Sequence, residues 1–394
     1  MANIFQTPQR IASNAAVILQ DHGIIYGALR SGYVSEADWP AGGGRTVDIT
    51  LPAVVESEQF TGAYGSQEVQ EGKVTVDLVR FNTKRIKLSV ENLTMDIRSF
   101  TQQLLMPAAA SLADLINDYI WRKAIEGQHN WAGTVGTDPT TIGDFVYPNV
   151  VLMRNRSQNF DRVGILGSTD GHGLQTNEIL QRVNEAGDSF TLRQGATRRG
   201  LIGRVGGITW WQDQAPGNNS HQIGTYDNGA AVTNGAMLAT DTTLVMASGV
   251  ADGTVNAGDL LTFAGITNAD GSLKQFVVTV GGVAVAGAIS VEISPAPGVA
   301  IPDATAVTFA GTAGGVMRKN LIADTGYLAA AVLPTPTSEM NSNYEFAVNF
   351  PEAGYGVTMR WWPPDKTDGS SEFLLECRVA AKVVRPEMGC LLIA

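Results

Sequence analysis

The side chains of this chain best suited to metal ligation or proton transfer are four histidines, His22, His129, His172 and His221, and two cysteines, Cys377 and Cys390. No two of them fall at the spacing of a zinc-binding helix or a cysteine–histidine knuckle. Gly171-His172-Gly173 is flanked by glycine, but no G-x-G-x-x-G bridges a strand and a helix. A phosphate-cradling Walker loop and a G-x-S-x-G nucleophile elbow are also absent from the sequence. Isolated histidines are usually surface groups or satisfied structural ones. Cys377 lies in a strand-like run with no histidine near it in sequence, so a buried packing thiol is the expectation. No active-site constellation can be assembled, and the chain is expected not to be an enzyme. No metal or cofactor is expected either.

Charge offers a second kind of chemistry. The chain of 394 residues carries 27 basic and 38 acidic side chains, a net of −11. Gripping nucleic acid needs clustered lysine and arginine, so tight binding to DNA or RNA is disfavoured. One local cluster, Arg193, Arg198, Arg199 and Arg204, has the right sign but no interleaved aromatics. A second segregated pattern is sharper. Glu56, Glu58, Glu68 and Glu71 surround a polar stretch, Ser57–Gly72, and Arg80, Lys84, Arg85 and Lys87 follow it. A solvated hairpin would explain this. So would an acidic tip on one copy that docks on a basic strand or helix of the next, because rim charges of this kind set register and on-rate.

These charges sit on a recognisable element. Val47, Ile49 and Leu51 alternate with polar residues, as do Val74, Val76 and Leu78, then Ile86, Leu88 and Val90. Alternation of period 2 predicts strands, so residues 46–90 read as a long two-stranded arm. A lone hairpin is marginal in water, and an arm this long should rest on something, a neighbouring subunit being the obvious candidate.

The rest of the chain is organised around Met106–Gly127. Pro107 suits a first helical turn, where its missing N–H would have no partner. Leu112, Leu115, Ile116, Tyr119 and Ile120 line one face. Ser111, Asp114, Asn117, Asp118 and Arg122 line the other, and Asp118 and Arg122 form an i, i+4 pair. Gly127 supplies a stop. A helix over 107–126 would be about 30 Å long.

Around this rod the organisation follows in order. Residues 1–45 read as an extended N-terminal arm with one short helix near Ile11–Leu19, closed by Gly42-Gly43-Gly44. Val150–Met153 and Val163–Leu166 look like strands, Asn177–Asn184 like a short helix, and Ile208–Trp211 ends a mixed region. Residues 222–313 change composition: one lysine, no arginine and seven acids, a net of −6. Asp270-Gly271 and Gly281-Gly282 are hairpin-turn signals there. Thr262-Phe263-Ala264-Gly265 is echoed by Thr308-Phe309-Ala310-Gly311. This reads as a small all-β barrel-like or sandwich domain inserted into a host. Leu328–Leu333 is apolar, Tyr344–Val348 and Val357–Met359 read as strands, Trp361–Ser371 as a loop, and Phe373–Val384 and Cys390–Ile393 as closing strands. The fold class is α+β. With only two cysteines, reduced thiols fit better than a bridge. No basic n-region followed by an apolar block opens the sequence, and no apolar run approaches the ~20 residues of a bilayer span.

In that order of parts the chain resembles the major capsid (coat) proteins of tailed bacteriophages, whose fold is named after phage Hong Kong 97. The local carriers are LMPAAASLADLINDYIWRKAIEG and the ending RVAAKVVRPEMGCLLIA; AGDLLTFAGI and VEISPAP are similar to the insertion domain of P-twenty-two-type coat proteins. The resemblance implies an N-terminal arm (1–45), an extended loop (46–90), a peripheral domain with the spine helix (91–140 and 372–394), an axial domain (141–221 and 314–371) and an inserted β domain (222–313). It implies self-assembly into pentamers and hexamers of an icosahedral shell around double-stranded DNA. Its partners would be a separate scaffolding protein, since a hairpin beginning by residue 46 leaves no room for a fused one, a portal protein, and in some relatives a decoration protein. The location would be the virion capsid, assembled in the bacterial host cytoplasm, with no membrane partner. A secreted or surface β-rich adhesin or S-layer-type protein is the alternative from another class. A hydrolase with an inserted lid is a third, without a nucleophile–base pair.

Overall fold

The computed structural model describes residues 14–15, 17–19, 23–29, 46–50, 73–88, 101–155, 162–175, 201–213, 219–226, 230–247, 252–324, 326–335, 345–350, 355–362 and 371–394. Most of the expected N-terminal arm, the ribbon tip, the helix expected at 177–184 and the loop after Trp362 lie outside them. The fold is α+β and divides into two compact units. The first comprises residues 1–23, 30–116 and 329–384; the second comprises 24–29, 117–328 and 385–394.

In the first unit, β1 (Thr46–Thr50) and β2 (Lys73–Asp77) pair antiparallel, Thr46 opposite Asp77, as a two-stranded ribbon. The returning chain does not stay in the ribbon. β3 (Val79–Asn82) and β4 (Ile86–Leu88) leave it and pair with the 13-residue strand β22 (Ser371–Val383). The base of the ribbon also rests on its own unit: Val76 is buried with Ala329, Ala331, Leu333, Ala380 and Val384. Lys382 donates to the Thr75 carbonyl. The two-stranded arm expected over 46–90 is therefore shorter, because its second half finds backbone partners in β22. On the far side of β22, β21 (Tyr355–Trp362) pairs antiparallel with it and with β20 (Glu345–Phe350). Trp361 and Trp362 end a strand where a loop was expected. β19 (Leu328–Leu333) joins β21 in parallel at Val332 and Tyr355.

The second unit is built on a seven-stranded sheet. Its spatial order is β5 (Trp131–Gly133), β23 (Gly389–Ile393), β18 (Val316–Asp324), β6 (Arg162–Leu166), β8 (Ile208–Gln212) and β7 (Leu201–Val205), with β9 (Ser220–Gln222) on β18. The closing strand thus lies inside this sheet, between β5 and β18, rather than beside β22. The described α-helices include α1 (Ile24–Leu29), α2 (Met106–Ile125), α3 (Ile142–Arg154) and α4 (Ser168–Gln175), and residues 14–15 and 17–19, within the short helix expected near Ile11–Leu19, are helical as well. Ile25 and Tyr26 of α1 are buried.

Helix α2 is the expected rod, and Arg122 and Lys123 in its last turn complement the helix dipole. Its buried stripe is rotated from the expected one. Ala109, Leu112, Ala113, Ile116, Asn117, Ile120, Trp121 and Ala124 are buried, whereas Leu115 is 47% exposed. The small alanines take the inner face, which a reading led by large side chains overlooks.

Helix α3 corrects the strand expected at Val150–Met153. Thr141 and Asp144 form a reciprocal capping box: the Asp144 N–H donates to Thr141 Oγ1 at 3.3 Å, and the Thr141 N–H to Asp144 Oδ2 at 2.9 Å. Phe145, Pro148, Val151 and Leu152 then line the buried side. Phe145 meets Trp210 edge-to-face, centroids 5.7 Å apart, in a core with Leu166, Ile208, Ile322 and Leu392.

Within the acidic stretch, β10 (Val232–Thr233), β11 (Thr243–Ala247), β16 (Ala288–Ser294), β14 (Leu273–Val280), β13 (Leu260–Thr267) and β17 (Val307–Phe309) form one sheet in that order. It has its own core, including Phe263, Phe276, Ile293 and Phe309. The two echoed motifs are neighbours in it: Thr262 stands opposite Thr308 and Leu261 opposite Phe309. Each motif ends on a glycine at positive φ, Gly265 at 77° and Gly311 at 90°, so the shared sequence encodes a shared bend. Asp270-Gly271 turns β13 into β14, as expected. Gly281-Gly282 does not make a hairpin. It leads into β15 (Gly282–Val283), which pairs with β12 (Thr254–Val255).

Candidate functional site

The basic strand that follows the ribbon is the first place to look for function. Its arginines face carboxylates of the same chain. Arg80 Nε donates to Glu376 Oε2 at 3.0 Å, and Arg360 Nε donates to Glu376 Oε1 at 2.6 Å. Glu376 is fully buried, so the two guanidinium groups are what make its charge tolerable. Arg85 lies 3.7 Å from Glu372 and 4.4 Å above the Trp362 ring. Lys87 stands opposite Glu372 in register, and Lys84 is exposed. Their expected partners Glu56, Glu58, Glu68 and Glu71 lie outside the described residues.

The second place is in the other unit. A cleft of about 760 Å³ is lined by His129, Trp131, Tyr147, Arg154, Leu273 and Lys274 among others. Arg154 Nε and Asp270 Oδ2 are 2.8 Å apart across it. Gln275 holds the β5 edge as a strand would, accepting from the Trp131 N–H and donating to its carbonyl, both at 2.9 Å. Lys274 Nζ donates to the carbonyls of Ala296 and Pro297, and desolvation holds its pKa below the usual lysine value. Burial, followed by the nearby Lys274 charge, pushes the His129 pKa down to about 4. The ring is therefore neutral near pH 7, and its buried Nδ1 has no hydrogen-bond partner. Sequence reading missed this cleft because its residues come from three stretches far apart in the chain. The only local signal was Lys274, the one cation of an acidic segment.

The remaining candidates are structural. His221 Nε2 lies 2.7 Å from Asp259 Oδ1. The other Asp259 oxygen accepts from the N–H groups of Gly224 and Asn256. Lys319 Nζ donates to the Gly258 carbonyl, and burial lowers its pKa to about 8. His172 sits within α4 and is exposed. Cys377 and Cys390 are free and buried, and burial pushes both thiols up, away from reactivity. Arg204 is exposed on β7, and Arg193, Arg198 and Arg199 lie outside the described residues. Among the described residues no group of histidine, cysteine or carboxylate side chains could hold a metal ion. No described helix is long and apolar enough to cross a membrane.

No family model and no curated protein matches this chain. The chain is similar to several solved structures. One, described as the capsid of Ralstonia phage GP4, is 9% identical over 91% of this chain and 86% of that one, with a TM-score of 0.44. A structure from Mycobacterium phage Che8 is 10% identical over 91% and 88%, with a TM-score of 0.43. The capsid of cyanophage P-SCSP1u is 10% identical over 93% and 86%, with a TM-score of 0.41.

Proposed function

We propose that this chain is a structural protein, the major capsid protein of a tailed phage, and that copies of it tile into an icosahedral shell around double-stranded DNA. The observation that carries the reading is the ribbon. β1 and β2 pair with each other, β2 rests on its own unit through Val74 and Val76, and 22 residues separate Thr50 from Lys73. A chain of that length, fully extended and doubled back, spans at most about 35 Å. Such a reach has little use inside one subunit and a clear use between subunits.

The named parts follow as proposals. Residues 46–90 are the extended loop, 1–45 an arm, 91–140 with 372–394 the peripheral domain, 141–221 with 314–371 the axial domain, and 222–313 an inserted domain of the P-twenty-two type. The two compact units cut across the peripheral and axial boundaries, since 385–394 falls with 117–328 and 329–371 falls with 372–384. A net charge of −11 suits a container, because it repels the duplex instead of gripping it. Assembly in the host cytoplasm would use a separate scaffolding protein and a portal, with a decoration protein as a further possible partner. The basic residues Arg80, Lys84, Arg85 and Lys87 and the acidic tip Glu56, Glu58, Glu68 and Glu71 are proposed contacts between subunits.

Negative-stain microscopy of the concentrated full chain, alone and with a scaffolding protein, tests this. Closed shells or capsomers are expected. Particles that stay monomeric under both conditions, or sheets and fibres of a surface layer, would overturn it.

A further inference from the structure

The β13–β14 hairpin meets the seven-stranded sheet at two polar points and is hollow between them. At one, Gln275 of β14 accepts from the Trp131 N–H and donates to the Trp131 carbonyl, both at 2.9 Å. At the other, Asp270 in the hairpin turn meets Arg154 at the end of α3, 2.8 Å away. Both side chains of that pair are partly exposed, so it is a weak fastening in water. The cleft of about 760 Å³ lies between the two points. Apolar packing does not join the two sides: Phe263 and Phe276 are buried in the core of their own sheet, and Ala132, Phe145 and Val151 in the core of the other. Among the described residues no backbone hydrogen bond links the hairpin to β5 or α3. His129 Nδ1, buried at the cleft without a hydrogen-bond partner, weakens the closed seat further.

What the hairpin covers is a strand edge. β5 is the end strand of its sheet, with β23 on one side only. An end strand with free N–H and C=O groups is a template for pairing with another chain. We propose that the β13–β14 hairpin is a removable guard on the β5 edge, and that what it keeps away is the same edge of a second copy. The geometry of the Gln275 carboxamide carries this. In an antiparallel sheet two residues standing opposite each other can exchange both of their N–H···O bonds. Gln275 offers Trp131 that same donor and acceptor from a side chain. A second copy related by a two-fold axis offers them from its backbone, through its own Trp131. The two arrangements exclude each other. Because each side keeps its own apolar core, the hairpin can lift without uncovering either. The guard acts on the single chain, and stands whether or not copies go on to form a shell.

The test uses the full chain at low concentration, with self-association followed by analytical ultracentrifugation and folding by urea denaturation. Gln275→Ala removes the carboxamide and is expected to tighten association by about tenfold, the scale of one or two hydrogen bonds. Adding Trp131→Pro deletes the outward N–H of the edge and should return association to the level of the unsubstituted chain. A purely structural role for Gln275 predicts no such rescue, since a second change at the same contact would only add damage. If Gln275→Ala does not fold, Arg154→Ala takes its place, because it loosens the hairpin only at its exposed turn, and the same tightening and the same rescue are expected of it. Association unchanged in the folded variant overturns the proposal, and so does tightened association that persists with Trp131→Pro.

Discussion

Arg360 and Glu376 form the most deeply buried ion pair on the strand that carries the ribbon. Arg360 Nε lies 2.6 Å from a carboxylate with no solvent exposure. Glu376→Ala leaves Arg360 facing an empty, desolvated site, so a loss of about 3–5 kcal/mol is expected. Arg80, on the other flank, is 54% exposed, and Arg80→Ala should cost no more than about 1 kcal/mol. Urea denaturation of the two variants checks the order, and equal losses would show that the buried charge relies on Arg80 as much as on Arg360.

Helix α3 depends on its reciprocal cap. Thr141→Ala removes the oxygen that accepts from the Asp144 N–H and should lower stability by about 1 kcal/mol, while Thr141→Asn should keep most of it. Denaturation midpoints monitored by circular dichroism separate the two.

Gly164 lies directly beneath Trp210. A Cβ there would stand 2.3 Å from the indole ring, so Gly164→Ala overpacks a full core and should cost about 1–3 kcal/mol. Combining it with Trp210→Phe should give a loss smaller than the sum, because the smaller ring vacates the clash. Additive losses would place the strain elsewhere.

The His129 pKa of about 4 predicts a pH dependence with a definite sign. The unfolded ring protonates near 6.5 and the folded ring near 4, so between those values the unfolded state holds the extra proton. Stability should rise from about pH 4 to about pH 6.5, by at most about 3 kcal/mol, and this contribution should be flat above. His129→Phe should remove that slope. An unchanged slope in His129→Phe would assign the pH dependence to carboxylates.

Much of the fold was legible because period and punctuation agree. β1, β2, β6, β8 and the Asp270-Gly271 turn were readable from alternation and turn chemistry, and α2 from Pro107, its charge pair and Gly127. The errors have physical causes. The apolar run Val150–Met153 is ambiguous between strand and helix by itself, and the deciding signal, Thr141 with Asp144, lies nine residues before it. The rotated face of α2 follows from alanines that are buried without being large. The partnership of β3 and β4 with β22 joins residues about 290 apart, which no local pattern encodes. The cleft fails the same way, since His129, Arg154 and Lys274 meet only through tertiary structure.

The position of β23 between β5 and β18 bears on synthesis. Both neighbours have left the ribosome well before Gly389 is decoded, and until then each presents an open edge. A chain cut before Gly389 would expose two unpaired strand edges in the middle of a sheet, and such a product is expected to aggregate or be proteolysed.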